Sequence, residues 1–215
     1  MKRTLVALSV ALTVLAPVAA HAQFSVSSLM GGKSSSGGAD LTAQNDELLR
    51  GYVAASKDVL TAQSKMADAL GMKDEAVKLQ ASADTVSNGA TKDNLADADK
   101  LLTDTAKAVA EKLKANPTLG EREKATFVAG LASLGTGMVK YVGLKDKLAS
   151  FKNAVTTASP LALTKLGTGV YIVKSLPDNV TTLGGALNNA ISYAKGRDIP
   201  VPADATKALS NLSLS

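Results

Sequence analysis

The chain has 215 residues, is 46% hydrophobic and 3% aromatic, lacks Cys and Trp, and carries one His and a formal charge of +5. Without Cys it can form no disulfide, no thiol nucleophile, no Cys-ligated zinc and no iron–sulfur cluster. One His permits one imidazole role at most.

Even that role depends on the N-terminus. Lys2 and Arg3 open a positive stretch, followed by an apolar run from Leu5 to Leu15 broken only by Ser9 and Thr13. Pro17 interrupts it, and Ala20-His21-Ala22 is a small-x-small cleavage site. The pattern is that of a secretory signal peptide over residues 1–22, and the run is too short for a membrane span. No Cys follows it to carry a lipid. Cleavage after Ala22 takes 22 of the 215 residues and leaves 193, starting at Gln23. It also removes His21, Lys2 and Arg3, so the charge falls from +5 to +3. The expected location is therefore the periplasm or the exterior of a bacterial cell, with a fold held by core packing alone.

Residues 23–40 read as a flexible lead, because Ser and Gly dominate it and offer little to bury. From residue 41 to the end at 215, helical periodicity suggests a single all-α domain, a bundle of about five to seven helices. Leu48, Tyr52, Val59, Met66 and Leu70 line one side of a first helix, which Gly71 ends. Met72, Ala76, Leu79, Ala83 and Val86 continue on a second, closed near Asn88-Gly89. Leu95, Ala98, Leu102, Ala106, Val109 and Leu113 make a third, stopped by Pro117. Thr118 and Glu121 suggest a capping box for a fourth helix running to Ser159. Pro160 suits the first turn of a fifth. Pro177-Asp178 reads as a break, after which a sixth helix runs to Gly196 and a short one covers Ala203 to Leu212.

The halves of the domain differ. Residues 41–125 carry 12 basic and 14 acidic side chains, a net of −2; residues 126–215 carry 9 and 4, a net of +5. The second half also places Gly130, Gly135, Gly137, Gly143, Gly167, Gly169, Gly184 and Gly185 inside expected helices. Each costs on the order of 1 kcal/mol against Ala, and close helix approach is the usual offset. Leu134-Gly-Thr-Gly-Met138 is echoed by Leu166-Gly-Thr-Gly-Val170.

Residues 127–144 and 161–173 are apolar nearly all round, with one charge each, Lys140 and Lys165. Such helices are buried or meet something apolar outside the chain. The excess apolar face points to Leu134, Met138, Leu166, Val170 and Ile172 as contacts for a partner or a lipid.

Chemistry is sparse. Asp93, Asp97, Asp99 and Asp104 interleave with Lys92, Lys100 and Lys107, which reads as a solvated face rather than a metal or acid–base site. Ser192-x-x-Lys195 matches the nucleophile motif of penicillin-binding enzymes, but Ser-Asp-Asn and Lys-Thr-Gly are missing. No phosphate loop, metal site or cofactor site is expected, and few aromatics interleave the basic residues as nucleic-acid stacking would need. The expectation is an exported, non-enzymatic helical binding protein with no cofactor. The alternative is a lipid- or membrane-interacting protein using residues 127–144 and 161–173, whose basic half suits an anionic surface.

Overall fold

A computed structural model describes residues 36–87 and 89–213. Residues 1–22 and 23–35 of the expected signal and lead lie outside them. Residues 36–40, assigned above to the lead, instead form the first turn of α1 (Ser36–Ala69). The chain continues through α2 (Lys73–Thr85), α3 (Lys92–Lys114), α4 (Glu121–Val142), α5 (Lys145–Thr156), α6 (Pro160–Lys165), α7 (Gly167–Lys195) and α8 (Ala203–Ser213). The described residues are all-helical and contain no strand. Setting aside the six-residue α6, seven helices make the bundle.

The first three helices follow the apolar stripes. Leu48, Tyr52, Val59 and Met66 are buried along α1, and Gly71 takes the positive φ (75°) that reverses the chain into α2. Ser64 Oγ donates to the Ala76 carbonyl at 2.8 Å and locks that hairpin. Thr91 caps α3 in a reciprocal box with Asn94. Asn116, at φ 52°, ends the turn after α3.

α4 begins differently from the expectation. Its N-cap is Gly120, so Thr118 forms no capping box. It also stops at Gly143, and Leu144 turns its side chain toward α1, where a Cβ at Gly51 would lie 2.5 Å from Leu144 Cδ2. The helix expected over 121–159 is therefore two, and the bend re-aims α5 so that Phe151 is buried.

The prolines and glycines of the next segment exchange roles. Pro160 does open α6, but the chain breaks at Leu166 (φ −103°, ψ 17°), and α7 runs on through Pro177. Proline there removes the bond to the carbonyl four residues earlier, at Val173. Pro177 is exposed and Val173 only half-buried, so water can take that carbonyl.

α1 is central. Gly130 and Gly137 of α4 lie against it: added Cβ atoms would stand 3.0 Å from the Ala62 carbonyl and 3.2 Å from that of Ala55. The positions run in opposite order on the two helices, so α4 is antiparallel to α1. Lys140 pairs with Asp58 at 2.6 Å on the flank of this seam. On another side of α4, Gly135 receives the backbone of α8, where its Cβ would be 2.5 Å from Ala205 N. The glycines at 130, 135 and 137 are thus close-packing positions, as their cost requires.

Glycines without a neighbour behave oppositely. Gly185 in α7 is exposed, with nothing near its missing Cβ. We expect Gly185→Ala to stabilise the domain by about 0.5–1 kcal/mol through helix propensity. Gly135→Ala must displace a backbone and should destabilise it by about 1–3 kcal/mol. Urea unfolding followed by helical circular dichroism compares the two.

Candidate functional site

Among the described residues one carboxyl is buried in the core. Asp99 of α3 is 6% exposed, and its Oδ2 accepts from Tyr52 Oη of α1 at 2.5 Å and from Tyr171 Oη of α7 at 2.7 Å. Asn179 Nδ2, two turns further along α7, donates to Tyr52 Oη at 2.8 Å. Tyr141 of α4 packs its ring on that of Tyr52, with centroids 5.3 Å apart, and its hydroxyl shares a 2.7 Å hydrogen bond with Ser56. One carboxylate thus gathers side chains from α1, α3 and α7, with α4 one ring away.

The electrostatics follow from burial. Removal from water pushes the Asp99 carboxyl above its usual range, while the hydroxyls and the amide around it pull the other way and lose. Its Oδ1 is buried with no hydrogen-bond partner. Burial likewise pushes up the phenols of Tyr52, Tyr141 and Tyr171, with the Asp99 charge adding to the effect. These tyrosines therefore stay protonated and serve as donors.

A second polar contact sets the start of α7. Asn45 Oδ1 accepts from the Gly169 N–H at 3.1 Å, satisfying one of the donors a helix start leaves unpaired. The approach is close: a Cβ at Gly169 would lie 2.7 Å from Phe151 Cζ.

The expected contact residues sit elsewhere than expected. Leu134, Met138, Leu166 and Ile172 are buried, and Val170 is half-buried. Four of the five are therefore interior, and only Val170 reaches the surface in part. α4 looks apolar all round because α1, α7 and α8 pack on different sides of it. The stretch Glu121–Thr156 is long and apolar enough to cross a membrane by length and composition, yet half of its most apolar window is buried in the protein.

Asp93, Asp97 and Asp104 are exposed, and Asp104 pairs with Lys100 at 2.6 Å. Asp99 does not belong with them. It lies four residues after Leu95 and three before Leu102, on the apolar stripe, and that placement was the available sign of burial. Among the described residues no group of three or more His, Cys, Asp or Glu could hold a metal ion. Ser192 and Lys195 both lie on the exposed side of α7. No family model, curated protein or solved structure matches the chain.

Tyr52→Phe removes a donor from Asp99 and the acceptor of Asn179, and should cost about 1–3 kcal/mol in urea unfolding. Ser192→Ala, on the exposed face, should leave the midpoint within error of the parent. Equal midpoints for all three proteins would show that the Asp99 cluster contributes nothing to stability.

Proposed function

We propose that the chain is exported under the direction of residues 1–22 and acts in the periplasm or outside the cell as a helical binding protein rather than an enzyme. The sequence pattern over those residues supports the export. One observation carries the binding reading: the buried carboxyl of Asp99 is engaged through Oδ2 by the chain's own tyrosines and faces no cleft, while exposed apolar side chains, Leu161 above all, stand among charges on the outer surface. A helical scaffold so arranged offers surface rather than a reaction centre. Since Leu134, Met138, Leu166 and Ile172 are buried, contact falls to exposed positions of the basic half. The corner formed by α5 and α6 is the best of these. Leu161 there is 74% exposed, on a stretch that also bears Lys152 and Lys165.

The same corner supports the second reading, an anionic lipid surface, because an exposed leucine among lysines suits an interface with acidic headgroups. Flotation of the purified 23–215 chain with anionic and with neutral vesicles separates the two. Co-flotation with anionic vesicles that is lost in Leu161→Asp favours the lipid surface. Absence of flotation leaves the protein-partner reading, for which Lys152→Glu with Lys165→Glu should weaken binding of a cross-linked envelope partner at least tenfold. For export, expression of the full chain should deliver a product starting at Gln23 outside the cytoplasm. An intact chain retained in the cytoplasm overturns that part.

A further inference from the structure

The Asp99 cluster buries an ionisable carboxyl under conditions that suit its neutral form better. Oδ2 takes two phenol donors while Oδ1, equally buried, has none. An ionised carboxylate has room for about four donors, and a bare oxygen in the interior loses its water without replacement. The groups facing it are neutral: Tyr52 from α1, Tyr171, Ser175 and Asn179 from α7, and Tyr141 from α4 through the Tyr52 ring. The charged side chains of the surrounding helices are turned outward or engaged elsewhere. Asp97, Lys100 and Asp104 of α3 are exposed, as are Lys174 and Asp178 of α7. Asp58 of α1 pairs with Lys140 of α4 at 2.6 Å, and Glu47 of α1 pairs with Lys147 of α5 at 2.7 Å. With Oδ1 closed to solvent, burial favours the neutral carboxyl over the charged one.

The segment that Asp99 holds has a compliant joint at each end. Before it, the helix breaks at Leu166; after it, Pro177 supplies no N–H to the carbonyl of Val173. Between those points the segment is fastened to α3 by the Tyr171–Asp99 bond and to α1 by the Asn45–Gly169 bond, with Ile172 and Leu176 buried beneath. Tyr171 is only half-buried, so its side is where water would reach the carboxylate first.

We propose that Asp99 is a proton-operated latch: while it is neutral, residues 167–176 of α7 stay closed over it against α3 and α1, and on ionisation the buried charge, with Oδ1 left bare, draws in water from the Tyr171 side at a cost that outweighs the strengthened phenol bonds, which loosens that segment. The direction follows from linkage. The folded state raises the affinity of Asp99 for its proton, so its stabilising contribution is complete below the unfolded value, near 3.9, and is lost as pH rises through the folded value. Loosening the segment uncovers Leu166, Val170 and Ile172, which the closed arrangement keeps inside or half-inside. The latch does not rest on the export or the binding reading.

The test uses the full 1–215 chain. The carboxyl carbon of Asp99 is titrated by NMR, and amide exchange is measured for residues 168–176 at pH 5 and pH 8. Rates are corrected for intrinsic base catalysis and compared with amides of residues 130–138 on the α1–α4 seam. We expect Asp99 to titrate above the usual aspartate range, and protection over 168–176 to fall at least tenfold at pH 8 while the seam amides hold. Asp99→Asn should keep the segment protected at both pH values. Tyr171→Phe, which deletes one donor to the charged form, should move the Asp99 midpoint upward. Titration of Asp99 within or below the usual aspartate range, or equal protection of the wild-type segment at both pH values, overturns the latch. So does an Asp99→Asn protein that loosens like the parent. If Asp99→Asn does not fold, the wild-type titration and the Tyr171→Phe shift decide.

Discussion

The fold depends on how closely α4 can approach α1. At two levels of the seam, one helix turn pair apart, glycine meets the alanine backbone: Gly130 at Ala62 and Gly137 at Ala55. A side chain at either glycine would push the helices apart. Tyr141 would then leave Ser56, and Lys140 would leave Asp58. The attraction involved is dispersion between surfaces in contact, small per atom and lost quickly with a gap. Because α4 carries a third such position at Gly135, the seat of α8 is set by the same helix. The glycine-rich composition of the second half is thus the means by which one central helix is surrounded.

Much of this is legible in the periodicity. The stripes that begin at Leu48, Met72 and Leu95 mark three helices whose inner faces are buried, and the cost of helical glycines implies close approach. What periodicity cannot reveal is which breaker breaks. Gly143 ends a helix because Leu144 has a place to go against Gly51, whereas Pro177 does not end one because it faces water. Both outcomes depend on what lies across from the residue. The contact residues illustrate the same limit. An apolar stretch such as 127–144 has the same composition whether covered by other helices or by a partner, and here α1, α7 and α8 cover it. Asp99 was partly legible: its position on the stripe of α3 indicated burial, but its neighbours in sequence are acidic and basic residues on the opposite, wet face.

The two seams of α1 are of different kinds. Toward α4 it is tight and largely apolar, with one buried hydroxyl pair, Ser56–Tyr141, and the Lys140–Asp58 pair on its flank. Toward α3 and α7 it is built on hydroxyls and a carboxylate, which cost desolvation and return directional bonds. Dispersion between glycine and alanine is not directional. A bond of 2.5 Å from Tyr52 to Asp99 is, and it fixes the level at which α3 and α7 meet α1. The polar seam therefore supplies register where the apolar seam supplies proximity.

The placement of the tyrosines has an optical consequence. The chain has four of them and no tryptophan, so its near-ultraviolet absorption and emission come from phenol rings. Three of the four, Tyr52, Tyr141 and Tyr171, converge on Asp99, and two of these donate to its carboxylate. Emission from a phenol bonded to a carboxylate is quenched, and rings held at fixed angles give a strong near-ultraviolet dichroism. Its near-ultraviolet dichroism therefore reports largely on one small region of its interior, with no label required, while its emission falls to the tyrosines not bonded to Asp99.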